Sequence, residues 1–127
     1  MKVRISKKLL SIGLSLTLCA TAVPMVSLTS SAAGTATPKV ATGSINTVVL
    51  KSDGSVWATG SNSSGQLGVG KTSSELAKTA TFMPCIDDTG AEIKDAIDIA
   101  SGSGFTAVIR ANKTLWQCGS NSSGQLG

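Results

Sequence analysis

The stretch GSNSSGQLG occupies residues 60–68 and recurs, unchanged, at residues 119–127. The offset between the copies is 59 residues, from position 60 to position 119. The same offset aligns the preceding sequence without a gap, placing VATGSINTVVLKSDGSVWAT (residues 40–59) over IASGSGFTAVIRANKTLWQC (residues 99–118). Across residues 40–68 and 99–127, 15 of 29 positions are identical. Many of the remaining differences are conservative, as in Val40 against Ile99, Leu50 against Ile109, Lys51 against Arg110 and Val56 against Leu115. A period of this length marks a structural repeat.

Within one unit, NTVVLK and SVWAT are short and rich in β-branched and aromatic residues, and Asp53-Gly54 lies between them. That dipeptide favours a type I′ hairpin turn. In the second copy Asn112-Lys113 takes its place, and because lysine tolerates a left-handed backbone poorly, a different turn is expected there. IDIASG and the stretch around FMPCI supply two further strands. Short strands repeated at this spacing are the pattern of an all-β propeller blade. Val48, Val49 and Leu50 are apolar in succession instead of alternating, which points to a sheet covered on both faces. Trp57 and Trp116 hold equivalent places and read as packing between blades, ligand stacking being the other reading.

Written as IASGxxxTxxI, a turn, and LWxxGxNxxGQLG, the unit resembles the regulator of chromosome condensation repeat family across residues 40–127. The signature residues are Gly60, Asn62, Gly65, Gln66, Leu67 and Gly68 in the first copy, and Gly119, Asn121, Gly124, Gln125, Leu126 and Gly127 in the second. The resemblance implies seven-bladed β-propellers that serve mainly as binding platforms. The founding eukaryotic member of that family is a nucleotide exchange factor for a small GTPase and binds chromatin, while exported bacterial relatives include an inhibitor of β-lactamases and cell-surface proteins. Family repeats commonly carry His before the Thr of the first hairpin strand; here Asn46 and Phe105 stand there, and the chain has no His. Exchange activity belongs to blade-face loops of one branch of the family, and an exported, neutral chain would not meet that GTPase, so it is not carried over. The chain holds one full repeat, residues 40–98, and a second, truncated one, residues 99–127, giving an incomplete ring. Since stacked repeats need about three units for stability, the expectation is an N-terminal fragment of a longer repeat protein, with self-association of several copies as the other route to a closed ring.

The beginning of the chain has a different character. MKVRISKK carries four cations, LLSIGLSLTLCATAVPMV is apolar, and SLTSSAAG offers small residues before a cleavage point placed between Ala33 and Gly34. This is the layout of a signal peptide over residues 1–33, followed by a short linker at 34–39. An uncleaved anchor is the alternative, because the apolar stretch approaches the ~18 residues that a span requires, although Pro24 and several hydroxyl residues weaken it. A lipid-anchored Cys19 is a third reading, opposed by Leu18 where a small residue is expected. The expected location is secreted or cell-surface.

Of the 11 Lys and Arg residues, Lys2, Arg4, Lys7 and Lys8 lie in the leader, leaving seven cations against seven acids in the mature chain. The pI of 9.2 thus belongs to the leader. Composition supports neither nucleic acid nor, after cleavage, a membrane as partner. Cys85 and Cys118 remain after cleavage in a compartment where thiols can join, and Cys118 reads equally well as a small buried residue on a strand.

GQLGVGKT, residues 65–72, fits the phosphate-loop pattern G-x-x-x-x-G-K-[ST]. That chemistry needs a strand leading into Gly65 and a helix opening near Lys71, and neither flank fits. Without His, the usual catalytic dyads lose their base and zinc its commonest nitrogen ligand, so no catalytic residue, cofactor or metal site is assigned. Asp87, Asp88 and Glu92 read as a solvated turn more readily than as a calcium loop. Asn62, Asn112 and Asn121 satisfy the N-glycosylation pattern, two of them through the repeat signature. The functional expectation is a non-catalytic exported binding module for an extracellular protein or a cell-surface glycan. An architectural spacer is the alternative, and nucleotide binding at residues 65–72 a remote one.

Overall fold

The computed structural model describes residues 36–127. The leader and its Ala33–Gly34 cleavage point lie outside the described residues. Within them the chain is all strand and turn. β1 (Lys39–Thr42), β2 (Asn46–Leu50), β3 (Val56–Ser61) and β4 (Lys78–Pro84) form one antiparallel sheet in sequential order. β5 (Ala96–Gly102), β6 (Phe105–Arg110) and β7 (Leu115–Gly119) form a second. IDIASG lies in β5, and the FMP of FMPCI closes β4. β1 and β5 start slightly ahead of the repeat alignment, at Lys39 and Ala96, because hydrogen bonding extends each strand beyond the residues that resemble one another.

Strand alternation sorts each blade into two faces. In the first sheet, Val48 pairs with Ala58 and Leu50 with Val56, so these four side chains point the same way, and all four are fully buried. They meet Ile99 and Val108 of the second sheet, with Leu67, Cys85 and Ile93 completing the core between the blades. Burial of this kind contributes about 1.5–3 kcal/mol for each large aliphatic side chain. The opposite face carries Val49 and Trp57, which pair with each other and are only partly buried. Among the described residues the Val48–Val49–Leu50 run is therefore covered on one face, not both.

The turn between β2 and β3 differs from the sequence expectation. Gly54 N–H donates to Lys51 O at 3.0 Å and Lys51 N–H to Ser55 O at 2.9 Å, enclosing a three-residue loop in which only Gly54 has positive φ, 79°. This is a type I turn closed by a left-handed residue, whereas type I′ would require positive φ at Asp53 as well. The second copy repeats the turn instead of changing it: Lys113 N–H donates to Arg110 O, Arg110 N–H to Thr114 O, and Lys113 takes φ 63°. The lysine accepts the strained conformation because the flanking strands fix the loop.

Candidate functional site

Each signature begins where its last hairpin strand leaves the sheet. Gly60 has φ 107°, and a Cβ there would sit 2.5 Å from Ile45 O; Gly119, φ 118°, would meet Gly104 O in the same manner. Neither position has room for a side chain. Asn62, fully buried, then ties the loop to the segment C-terminal to it. Its Nδ2 donates to Lys71 O at 3.1 Å and Leu76 O at 3.0 Å, and its Oδ1 accepts Leu67 N–H at 3.1 Å. Gln66 Oε1 accepts Ser64 N–H, and Leu67 drops into the core. In the second copy Asn121 Oδ1 accepts Leu126 N–H and Gln125 Oε1 accepts Ser123 N–H, with Leu126 buried. Gln66 is buried because the second blade covers it, while Gln125 is only half-buried. Gly65, Gly68, Gly124 and Gly127 supply the remaining left-handed turns.

The phosphate-loop arrangement does not form in this segment. A turn, not a helix, follows Lys71, so no helix N-terminus converges on a ligand. Thr72, the pattern's hydroxyl position, donates both its N–H and its Oγ1–H to Glu75 Oε2 at 2.8 Å. The Thr72 backbone N–H, and then its hydroxyl, hold the Glu75 carboxyl below its ordinary value. A carboxylate from the chain itself thus occupies the donors that a bound anion would need. Asn62, buried, is also closed to glycosylation in the folded state.

A repeated relay holds each tryptophan. Asp53 Oδ1 accepts Ser55 N–H and Oγ–H, and Ser55 Oγ accepts Trp57 Nε1–H at 3.1 Å. Asn112, Thr114 and Trp116 repeat the set, the last bond being 3.0 Å. A cation covers each ring: Lys51 Nζ stands 3.8 Å from the Trp57 centroid and Arg110 Cζ 5.1 Å from that of Trp116. Sequence reasoning did not find this relay, although the Asp/Asn, Ser/Thr, Trp spacing at i, i+2, i+4 in both copies was its signal. The two rings differ in surroundings. Trp116 packs against the core between the blades, whereas Trp57 lies with Val49 and the exposed Phe82 on the open face of the first blade.

Polar groups stitch the seam between blades. Thr106 Oγ1–H donates to Gln66 O at 2.7 Å, and Asn46 Nδ2 donates to Ser101 Oγ at 2.8 Å and Thr106 Oγ1 at 3.3 Å. Lys39 pairs with Asp98 at 2.7 Å across it. Arg110 reaches Asp95 at 2.7 Å and Asp87 at 3.5 Å, on the connection between the sheets. Asp87 Oδ1 is further occupied by Thr89 N–H, Thr89 Oγ1–H and Ala91 N–H, so that carboxylate caps a turn. Among the described residues, no group of three or more His, Cys, Asp or Glu side chains is arranged to hold a metal ion, and no helix is long and apolar enough to cross a membrane.

Above the seam lies an open groove of about 550 Å³. Ser63, Ser64 and Gly65 form one wall, residues 68–73 another, and Cys118 with Gly119 close it at the end of β7. Among the described residues Lys71 is the only charged one in its lining, which otherwise consists of hydroxyls, backbone, glycines and the apolar Val69 and Cys118.

Repeated antiparallel blades, stacked face to face and each closed by the same loop, define a β-propeller repeat protein. Family models described as "Regulator of chromosome condensation (RCC1) repeat" match residues 39–66 and 96–125 in one case and 53–109 in another. The chain belongs to the regulator of chromosome condensation repeat family. It is 36% identical over 89 residues to the secretion-regulating guanine nucleotide exchange factor of Bos taurus, covering 70% of this chain and 18% of that protein. In fold it is similar to the yeast RCC1 (Prp20) complex with Kap60, at a TM-score of 0.50 and 21% identity, covering 64% of this chain and 17% of the matched one. The chain thus spans under a fifth of the length of these relatives.

Proposed function

We propose that the chain is a non-catalytic binding module, exported by its leader, whose groove above the seam takes a polar segment of an extracellular protein or a cell-surface glycan. The observation that carries this reading is the groove itself: hydroxyl and backbone groups held by the Asn62 anchor, with Lys71 as the one charge. Such a lining offers hydrogen bonds to a neutral or weakly anionic chain while supplying no acid–base pair. The guanine nucleotide exchange named for the bovine relative is not extended to this chain, which matches only 18% of it.

The test is binding of the secreted full-length chain to an array of cell-surface glycan fragments and exported proteins. Ser64→Arg with Lys71→Glu alters both walls of the groove and lowers binding at least about tenfold, a loss of about 1.4 kcal/mol. Retention of binding by that double variant places the ligand elsewhere. ATP binding abolished by Lys71→Ala would favour the nucleotide reading instead.

An architectural role has an observation of its own in the exposed Val40, Phe82 and Ile109 on the outer faces of the two blades. These faces accept further blades of the same kind, supplied by additional repeats or by other copies of the chain.

A further inference from the structure

Cys85 and Cys118 come from different blades and line the same small cavity of about 30 Å³. Cys85 follows β4 and is buried, its N–H donating to Val56 O and its carbonyl accepting Ile93 N–H, so its backbone is fixed on both sides. Cys118 is in β7. Both sulfurs lie against one short stretch of the first signature. Cys85 Sγ–H donates to Leu67 O at 3.1 Å and Cys118 Sγ–H to Gln66 O at 3.6 Å, while a Cβ on Gly68 would lie 3.0 Å from Cys118 Sγ. Cys118 also borders the open groove, so it has an inner side facing the shared cavity and an outer side facing solvent. Among the described residues, the cavity lining holds no titratable side chain apart from the two thiols.

We infer that Cys85 and Cys118 form an oxidation site at which a disulfide staples the two blades across their seam. The oxidant is a disulfide of the surrounding medium. Cys118, as thiolate, attacks one of its sulfurs from the groove side, releasing one thiolate and leaving a mixed disulfide on Cys118. Cys85, after losing its proton to solvent, attacks Cys118 Sγ, displacing the second half of the oxidant as thiolate. The two thiolates released take up the two protons lost, so one external disulfide becomes two thiols as the Cys85–Cys118 bond forms. The cavity is the space into which the two side chains rotate. Burial, and secondarily the neighbouring Cys118, push the Cys85 thiol up to about 12, so the resolving step is slow near neutrality and the finished bond is shielded from reductants. The staple encloses the chain from Cys85 to Cys118, including β5, β6 and the whole connection between the sheets, and therefore constrains the unfolded chain as well as the seam.

The experiment uses the full chain with Cys19→Ser, so that only these two thiols remain. It is incubated with oxidised glutathione and followed by intact mass, peptide mapping and thermal melting. The expected result is loss of two hydrogens, a cross-linked peptide pair containing Cys85 and Cys118, and a melting temperature raised by about 10 °C or more, reversed by dithiothreitol under unfolding conditions. Cys118→Ser, a substitution at a half-buried position, abolishes the shift. Comparison of oxidised and reduced forms of one chain keeps the test independent of how any variant folds. A glutathione adduct on Cys118 that does not convert to the cross-link even when the pH is raised to about 9 to speed the resolving step, two thiols still open to alkylation, or a cross-link that leaves the melting temperature unchanged each overturns the proposal.

Discussion

Single residues in the signature differ sharply in what they hold. Asn62 satisfies three backbone groups at once, so Asn62→Ala leaves two carbonyls and one N–H to find new partners. A loss of about 2–3 kcal/mol in denaturant unfolding is expected. Leu67→Ala empties a fully buried site, with a loss of about 2–5 kcal/mol. The carboxylates act in concert with pH. Asp53 is held below its ordinary value chiefly by the Ser55 hydroxyl, Asp87 chiefly by that of Thr89, and Asp98 chiefly by its hydrogen bond from Lys39. A carboxyl with a lowered folded value stabilises the fold above its unfolded value, and that contribution is lost as pH falls through the folded one. With no histidine to titrate, the melting temperature should be nearly flat from about pH 7 to 5 and decline below about pH 4. A steady decline beginning near pH 6 would contradict this assignment.

At the scale of the hairpin, the repeat built one turn from two sequences. Asp53-Gly54 and Asn112-Lys113 look like different turns because dipeptide preference is read from the central pair. The structure shows that the demand for positive φ falls on one position, Gly54 or Lys113. Lys113 therefore bears strain of about 1–2 kcal/mol that Gly54 does not, and Lys113→Gly should stabilise the chain by about 1 kcal/mol. The converse change is worse than a simple reversal. A side chain at Gly54 would approach Lys94 O to 2.6 Å, so Gly54→Ala adds a clash to the left-handed strain. Unfolding titrations of the two variants should move their midpoints in opposite directions; a Lys113→Gly midpoint at or below the parent's would refute the turn assignment. The hydrogen-bonded Trp relay belongs to this scale as well, since Asp53 or Asn112 positions the hydroxyl that holds the indole two residues further on.

Across the whole molecule the two blades share one direction. The face of the second blade bearing Val108 and Trp116 packs on the Val48, Leu50, Val56 and Ala58 face of the first. By the same offset, the open Val49–Trp57 face of the first blade matches the face of the second that is already covered. The open Ala107–Ile109–Leu115 face of the second likewise matches the covered face of the first. These open surfaces are of the two kinds that meet in the seam, so each fits a further blade of the same kind, supplied by additional repeats or by another copy joined head to tail. Where another copy supplies that blade, light scattering of residues 1–127 is expected to show concentration-dependent association, weakened by Ile109→Lys and by Trp57→Glu separately. Association untouched by both substitutions would place the contact elsewhere.

The sequence by itself determined the repeat, the strands of each hairpin and the glycines of the signature, because these follow from strand composition, turn chemistry and a self-match that local physics makes legible. The tertiary structure decided what depends on apposition. It distinguishes Trp116, packed in the seam, from Trp57, left at an open face, although their local sequences are alike. It brings Cys85 and Cys118 to one cavity, and it turns Glu75 onto the Thr72 donors that the GQLGVGKT pattern assigns to phosphate. Local preference sets the conformation of a segment, but which side chains meet is fixed by how separate blades stack, and no short stretch of chain contains that information.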